Sequence, residues 1–327
     1  MIQTLSIRNF KSVRELDLEC RRVNVVIGEP NTGKTNVLEA LALRSTGALL
    51  KFGEVLRVSS IADLHLNQDV GNPIQVSVNG SPLRFNLGPE ETVAVLGQPN
   101  GSGHQAYRLN KQLAVLPETV SLEDPAFGES IRYYLFESLT EFPGEEERSL
   151  SDPFGENLFR LLYSNKAARL VASHFFDDTG FRLNLDVSEN KLKITKLADE
   201  LLISLPYHSS SETLRRMIFY SLALETNTDR VLLFDEPEAH AFPPYTKTLA
   251  ERIALDERGN QFFLTTHSPY MLDSLLSKTP AVELNVLLCR MEGFETKVHP
   301  LDQDQIDQLK EWSMDAFFNF DRLLPEV

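Results

Sequence analysis

The stretch Gly28-Glu29-Pro30-Asn31-Thr32-Gly33-Lys34-Thr35 decides how this chain folds, because it matches the pattern Gly-x4-Gly-Lys-Ser/Thr at every defined position. An apolar run at 23–27 precedes it and predicts a buried strand. Good helix formers with helical spacing follow from Asn36 to Leu43. A strand, a glycine-containing loop and a helix N-terminus together present backbone N–H groups to phosphate oxygens. The context on both sides therefore predicts a phosphate-binding loop.

The residue types in this loop predict how a nucleoside triphosphate is held. Lys34 is expected to reach the β- and γ-phosphates, and the Thr35 hydroxyl is expected to hold Mg2+. The alternative is a chance Gly and Pro turn before an ordinary helix, but chance does not explain why both flanks match. The predicted nucleotide contacts are Gly28, Glu29, Pro30, Asn31, Thr32, Gly33, Lys34, Thr35 and Asn36.

A second apolar strand, Arg230-Val-Leu-Leu-Phe234, ends in the two carboxylates Asp235 and Glu236. At the carboxyl end of such a strand, Asp235 is expected to complete the Mg2+ shell opposite Thr35. Glu236 is then placed to polarise a water for attack on the γ-phosphate. The alternative is that the two carboxylates belong to an ordinary acidic turn and that Pro237 ends the strand. This is a poor explanation in a chain that also contains a phosphate loop.

A third apolar strand, Gln261-Phe-Phe-Leu-Thr-Thr266, ends in His267. A lone histidine is more often structural than catalytic. A histidine that closes the next strand after the carboxylates is, however, in the position to sense a γ-phosphate. The sequence therefore predicts Glu236 and His267 as the catalytic pair.

These motifs resemble a known family through the loop and three further segments: Ile7-Arg8-Asn9-Phe10-Lys11-Ser12, Asp235-Glu236-Pro237-Glu238-Ala239-His240 and Thr266-His267-Ser268-Pro269. Together they resemble an ABC-type ATPase head, specifically the ATPase domain of overcoming-lysogenisation-defect (OLD) family proteins. SMC and RecF-type DNA-repair ATPases share the opening segment and the loop. The resemblance implies ATP and Mg2+ as ligands, with Lys11 as a further nucleotide neighbour.

The same resemblance implies the fold class and domain organisation. We expect an α/β, ABC-ATPase-type P-loop domain with a mainly parallel core sheet, an inserted antiparallel β-subdomain and a helical subdomain. No sustained heptads occur, so no coiled-coil arm is expected. The whole chain, 1–327, is predicted to be one ATPase domain. Its parts are 1–116 with the loop and the β-subdomain, 117–225 with an acidic linker and helices, and 226–327 with the carboxylates and His267.

One segment departs from the ABC pattern. The family signature Ser-Gly-Gly-Gln/Glu is matched only by Ser209-Ser210-Ser211-Glu212, before a helical run at 214–224. Serine does not share the access of glycine to positive φ. The resemblance implies that Ser209 contacts the γ-phosphate held by a partner subunit, and hydrolysis is expected to be slow. Ser209 and Glu212 also have capping-box spacing, which is the structural alternative.

The remaining sequence predicts the architecture around these motifs. Alternating runs between Ile74 and Val115, separated by Gly- and Pro-containing turns, predict an antiparallel sheet. Residues 117–153, rich in Pro, Gly and acid, predict a mobile surface connection. Helices are expected within 154–176, and short strands near 181–186 and 191–195.

Composition limits the class of protein. A formal net charge of -15 over 327 residues argues against a broad basic surface that binds nucleic acid. No apolar run approaches the roughly 18 residues of a membrane span, and no signal peptide is evident. We therefore expect a cytoplasmic protein whose two cysteines, Cys20 and Cys289, are reduced and structural.

Three functions remain open on the sequence alone. The first is an ATP-dependent homodimer that switches a partner protein. The second is an OLD-like ATPase associated with a nuclease. The chain ends 60 residues after His267, at Val327, which leaves little room for a nuclease module, and Asp302-Gln303-Asp304 is better explained as a helix cap. The third is a RecF/SMC-like DNA-repair ATPase, which the acidic balance disfavours.

Overall fold

The computed structural model describes residues 1–87, 91–97, 103–110, 113–116 and 130–323. Its strands are β1 (Thr4–Phe10), β2 (Val13–Glu19), β3 (Val23–Gly28), β4 (Gln75–Val78), β5 (Ser81–Leu87), β6 (Glu91–Gly97), β7 (Gly103–Asn110), β8 (Ile131–Tyr134), β9 (Arg182–Asp186), β10 (Lys191–Ala198), β11 (Leu201–Pro206), β12 (Val231–Phe234), β13 (Gln261–Thr265), β14 (Leu284–Glu292) and β15 (Glu295–Pro300). Its helices are α1 (Lys34–Ala42), α2 (Thr46–Leu50), α3 (Phe52–Leu56), α4 (Leu158–Ser164), α5 (Lys166–His174), α6 (Glu212–Thr226), α7 (Pro243–Ala254), α8 (Pro269–Lys278) and α9 (Gln303–Trp312).

The central sheet has the strand order β15-β14-β3-β13-β12-β8 and is parallel except for β15. Strands β3, β12 and β13 are buried along their whole length, as expected for a parallel sheet covered on both faces. Val25 and Ile27 pack in a cluster with α6, α7 and α8, whereas Val26 packs in a second cluster with α1. The predicted mainly parallel core sheet is confirmed. Since β3, β13 and β12 are neighbours, the segments that follow them meet at one edge of the sheet.

A second sheet, β2-β1-β4-β5-β6-β7, is antiparallel throughout. Strands β4 to β7 confirm the antiparallel sheet expected between Ile74 and Val115. The N-terminal strands β1 and β2 extend it, with Ile7 paired to both Leu16 and Val76. The turns predicted around 88–90 and 98–102 lie outside the described residues.

The interpretation of 117–153 as a mobile surface connection is wrong at its centre. Ile131–Tyr134 forms β8, which pairs in parallel with β12 at the edge of the central sheet. Tyr133 and Tyr134 are fully buried there. Four residues are too few to show a strand period, so only pairing with β12 defines this element. Residues 117–129 lie outside the described part of the chain.

The helical region contains both expected and unexpected elements. Strands β9 and β10 were predicted, but β11, which completes a three-stranded antiparallel sheet, was not. The helix expected at 214–224 is confirmed as α6. Its N-cap is Ser211 rather than Ser209, and no side chain caps it, so the capping-box interpretation of Ser209 is wrong.

The C-terminal helix α9 begins as predicted. The Asp302 side chain accepts a hydrogen bond from the Gln305 backbone N–H, and Gln305 Oε1 accepts one from the Asp302 backbone N–H, which completes a capping box. Cys20 and Cys289 are both free thiols. None of the helices within the described ranges is long and apolar enough to cross a membrane.

Candidate nucleotide site

The loop between β3 and α1 can be built only with glycine at two positions. A Cβ atom on Gly28 would lie 2.3 Å from the carbonyl oxygen of Cys289, and one on Gly33 would lie 1.9 Å from Thr296 Oγ1. Both glycines also have positive φ, +146° and +85° respectively. Strands β14 and β15 therefore pack so closely against the loop that a side chain at either glycine position would disrupt its conformation.

Lys34 is held over the backbone of this loop. Its Nζ donates to the carbonyl oxygen of Glu29 at 2.7 Å, and the Thr32 hydroxyl donates to the same oxygen at 2.8 Å. Burial lowers the pKa of Lys34. The ammonium group can therefore exchange its hydrogen bond to this loop carbonyl for one to a phosphate oxygen. Binding phosphate is the role expected of this lysine.

Thr35 and Asp235 meet at the carboxyl edge of the central sheet. Thr35 Oγ1 lies 3.0 and 3.1 Å from the two carboxylate oxygens of Asp235. Adjacent oxygen ligands of an octahedral Mg2+, each about 2.05 Å from the ion, are about 2.9 Å apart. The pair therefore fits Mg2+ by both chemistry and spacing. The Thr265 hydroxyl donates to Asp235 Oδ1 at 2.6 Å and fixes the carboxylate from the adjacent strand.

Glu236 and His267 lie side by side next to this pair. His267 Nε2 is 3.2 Å from Glu236 Oε1, and the side chain of Glu236 is 42% exposed, so water reaches its carboxylate. The backbone of Glu236 has φ +42°, and its N–H donates to Thr265 Oγ1 at 2.9 Å. Burial, followed by the nearby Lys34 charge, lowers the pKa of His267. A neutral imidazole beside a carboxylate that water can reach is suited to proton transfer.

A second acid, Glu238, accepts hydrogen bonds from the two residues that follow β13. Its Oε1 accepts hydrogen bonds from the Thr266 hydroxyl at 2.5 Å and from the His267 backbone N–H at 3.2 Å. The side chain is buried, and burial raises the pKa of Glu238 to about 7. Glu238 therefore sets the position of the backbone that carries His267.

Arg57, which follows α3, also lies near the carboxylate of Asp235. Its Nη2 is 3.8 Å from Asp235 Oδ2 and 3.1 Å from Oε1 of Glu39, a fully buried acid on α1. Lys11 Nζ binds the other oxygen of Glu39 at 2.5 Å and donates to the Leu56 carbonyl at 2.6 Å. Glu39 thus aims Arg57 at the site and ties Lys11 to α1. Lys11 as a nucleotide contact stays a prediction.

The loop is also joined to the first strands of the chain. Asn36 Nδ2 donates to Ser12 Oγ at 2.6 Å, and Ser12 Oγ lies 2.6 Å from Thr296 Oγ1. The Thr296 hydroxyl in turn donates to the carbonyl of Thr32 at 2.9 Å. This chain of contacts fixes the N-terminus of α1 between the two large sheets.

Ser209 is the predicted residue that the chain does not bring to the loop. It is exposed and lies two residues before the N-cap of α6, and its side chain makes no hydrogen bond to any residue in the described ranges. Helix α6 itself is tied to the site, since the Thr213 hydroxyl donates to the carbonyl of His240 at 2.9 Å. A role for Ser209 across a dimer stays a prediction.

Sequence reasoning missed Arg57, Thr265 and Glu238. Thr265 and Thr266, the two polar residues at the end of the predicted apolar strand 261–266, were a signal for Thr265. Glu238 was part of a quoted motif, but nothing in the sequence showed that its carboxylate turns inward. Arg57 follows two short helices and has no motif of its own.

Comparison with known proteins identifies the family. A family model described as "AAA domain, putative AbiEii toxin, Type IV TA system" matches residues 107–273, and one described as "AAA ATPase domain" matches residues 1–93. An uncharacterized protein of Methanocaldococcus jannaschii is 48% identical over 44 residues, which is 13% of this chain and 20% of that protein. The match therefore spans only about a fifth of this relative.

Solved structures extend the comparison to the fold. An SMC head bound to the C-winged helix domain of ScpA is similar over 94% of this chain and 99% of its own, with 15% identity and a TM-score of 0.55. A Pyrococcus furiosus SMC head with an extended coiled coil, bound to the C-terminal domain of ScpA, is similar over 95% and 98%, with 14% identity and a TM-score of 0.54. The narrower likeness to OLD proteins stays a prediction. Since the first family model spans more than half of the chain, the protein belongs to that family of AAA-type ATPase domains, and its fold is an ABC-type P-loop fold similar to that of SMC heads.

Proposed function

We propose that the protein binds ATP with Mg2+ at the loop 28–36 and hydrolyses it. The observation that carries this proposal is the distance of 3.0 Å between Thr35 Oγ1 and Asp235 Oδ1, which spaces two oxygen ligands from different elements for one Mg2+. When bound, Mg2+ neutralises charge on the β- and γ-phosphates. Lys34 pairs with the same phosphates, and the backbone N–H groups at the start of α1 hold their oxygens.

Hydrolysis is assigned to Glu236 and His267. The exposed carboxylate of Glu236 accepts a proton from a water that attacks the γ-phosphate. His267, held by the contacts of Glu238 to its backbone, orients that carboxylate and reads the γ-phosphate. Arg57, positioned by Glu39, supplies positive charge next to Asp235. A positioned base of this kind contributes roughly 100- to 10,000-fold to the rate.

Isothermal titration calorimetry with ATP tests the binding step. Lys34→Ala should abolish binding, whereas Lys247→Ala, at an exposed position on α7, should leave the affinity unchanged. Asp235→Asn should weaken binding in the presence of Mg2+ more than binding in its absence. Unchanged ATP affinity in Lys34→Ala contradicts the assignment of the loop. Equal losses with and without Mg2+ in Asp235→Asn give this residue a structural role.

We further propose that chain 1–327 acts as one head of a homodimer that switches a partner protein. Two observations support this proposal. The phosphate loop lacks a contact from Ser209 of its own chain, and the similar SMC heads are bound to domains of another protein, ScpA. The description of the matching family includes the words "putative AbiEii toxin, Type IV TA system", so we infer that the partner belongs to such a system. Co-purification of the protein with its partner tests this part.

A DNA-repair ATPase of RecF/SMC type is the second candidate, because the fold is that of an SMC head. The net charge of -15 argues against this DNA-repair function. Salt-dependent binding to duplex DNA, with affinity that falls steeply between low and moderate salt, distinguishes it from the partner switch.

A further inference from the structure

A cavity of about 520 Å3 lies between helices α5, α6 and α7. Helix α6 packs against both of the other two helices. The volume is within the range of sites that bind small molecules, roughly 300–1,000 Å3. None of the residues described for the candidate nucleotide site lines this cavity, so the contacts of that site do not account for it.

Apolar side chains from α5 and α7 line this cavity. Leu170 and Val171 lie on α5, and Leu170 is 64% exposed. Phe175, four residues after Val171 and therefore on the same side of the helix, packs edge-to-face against Tyr245 of α7, with the ring centroids 6.0 Å apart. These side chains offer a surface for the hydrocarbon part of a ligand.

Arg252, seven residues after Tyr245 and therefore on the same face of α7, brings a positive charge to the cavity. A guanidinium has five N–H donors, but within the described ranges Arg252 makes one hydrogen bond, of 3.3 Å from Nη2 to Glu225 Oε2. Arg258 binds the other oxygen of Glu225 at 2.5 Å, so one carboxylate serves two guanidinium groups. Burial lowers the pKa of Arg252 although Glu225 is near, which means that the positive charge is incompletely compensated.

Helix α6 contributes a hydroxyl group to the cavity. Ser221 is 3% exposed and lines the cavity. Its side chain makes no hydrogen bond to any residue in the part of the chain that the structure describes. A hydroxyl can both donate and accept, and a buried one that lacks a partner costs free energy. A ligand with a polar atom in this cavity removes that cost.

The other charged or titratable groups that line the cavity are exposed. Asp178 follows α5, and His174, near the end of α5, has its Nδ1 3.0 Å from Asp177 Oδ2. Solvent and salt screen charges at such positions, whereas they screen a half-buried guanidinium less. Arg252 therefore determines which ligand charge the cavity prefers, and that charge is negative.

We propose that this cavity binds a small monocarboxylate with an apolar body. The carboxylate pairs with Arg252, because the planar guanidinium matches a carboxylate through two parallel hydrogen bonds. The apolar body packs on Leu170, Val171 and Tyr245, and Ser221 offers the ligand a further polar contact. The site shares no residue with the proposed ATP site, so it stands or falls independently of ATP binding.

Calorimetric titration with octanoate and with 1-octanol separates the contribution of the carboxylate from that of the apolar body. Arg252→Gln should lower the affinity for octanoate by about tenfold or more and leave that for 1-octanol unchanged. Arg258→Gln is the matched control, because it removes the other partner of Glu225 without touching the cavity, and it should keep the octanoate affinity within about twofold. A parallel titration with 3-phenylpropionate distinguishes an aromatic body from an aliphatic one.

A substitution that fills the cavity tests where these ligands bind. Thr248 lines the cavity at an exposed position on α7. Thr248→Trp should weaken the binding of octanoate and of 1-octanol together, since the larger side chain occupies the space of the apolar body. Lys247→Trp, at the neighbouring exposed position outside the cavity, is the control and should bind both as the parent does.

Several results would overturn this site. A parent protein that binds neither octanoate nor 3-phenylpropionate excludes the proposed class of ligand. Octanoate affinity unchanged in Arg252→Gln contradicts the pairing with the guanidinium, and equal losses for octanoate and 1-octanol mean that Arg252 only shapes the cavity. A mass of two chains without nucleotide, reduced to one chain by Leu170→Ser in light scattering, shows that a second copy covers the cavity instead of a small molecule.

Discussion

At the residue scale, two acids of the candidate site, only two positions apart in the sequence, lie in different environments. Glu236 is half-exposed beside His267, whereas Glu238 is buried behind the backbone of the same histidine. Pro237 and the positive φ of Glu236 turn the chain so that the two carboxylates face different environments. We therefore propose that the same side-chain chemistry serves proton transfer at Glu236 and positioning at Glu238.

Glu236→Gln should separate binding from turnover. The amide retains the size of the side chain but cannot take a proton from water, so phosphate release should fall by roughly 100- to 10,000-fold. ATP affinity should stay within about twofold, because Glu236 contacts neither the loop nor the metal pair. Glu257→Gln, at an exposed position after α7, serves as the control and should keep the parental rate. Parental turnover in Glu236→Gln means that the base lies elsewhere.

Glu238→Gln should change how stability depends on pH. Burial raises the pKa of Glu238 from 4.5 to about 7, so the folded chain keeps a proton that the unfolded chain has lost between these values. Stability therefore decreases as pH rises through this window. The parent should lose about 2–3 kcal/mol more than Glu238→Gln between pH ~4.5 and ~8, as measured by urea unfolding. Parallel pH profiles for the two proteins contradict this expectation.

At the element scale, each motif owes its position to the strand or helix that it ends or begins. The loop follows β3, the carboxylates follow β12 and His267 follows β13, and these strands are adjacent and parallel. Their carboxyl ends must therefore meet at one edge of the sheet. The segment 209–211 leads into α6, and Ser209 in it is exposed.

Substitutions of Asp302, at the start of α9, distinguish two roles for this residue: a helix cap and a metal ligand. Asp302→Ala should cost about 1 kcal/mol of stability, because it removes the acceptor for the Gln305 N–H. Asp302→Asn retains that acceptor and should cost at most a few tenths of this value. Urea unfolding measures both variants. Nuclease activity that depends on a metal and is lost in Asp302→Asn would show that this residue has a function beyond capping.

At the scale of the whole molecule, we propose that a second chain covers the phosphate loop. A two-fold pair of heads would place α6 of each protomer over the loop of the other, with two nucleotides between them. Contacts made only to the γ-phosphate would hold this pair, so ATP should favour it and ADP should not.

Light scattering of Glu236→Gln tests this arrangement. With ATP the mass should double, whereas with ADP or without nucleotide it should stay that of one chain. Adding Ser209→Arg should prevent the dimer by bulk at the phosphate, and Ser188→Arg, in an exposed turn between β9 and β10, is the matched control. The same mass in all three nucleotide conditions contradicts ATP-driven dimerisation.

The sequence by itself determined the parts of the site that are contiguous in the chain. The loop 28–35, the pair Asp235 and Glu236, and the helix cap at Asp302 depend on local backbone geometry, so a short motif contains all the information needed to recognise them. The alternation of apolar and polar residues likewise predicted β4 to β7, and continuous apolar runs predicted β3, β12 and β13.

Only the tertiary structure decided what depends on distant pairing. Strand β8 is defined by β12, about 100 residues later, and Arg57 reaches Asp235 only because a buried Glu39 holds it. Such contacts follow from packing, in which each residue is fixed by neighbours far away in the sequence, and no local pattern records them.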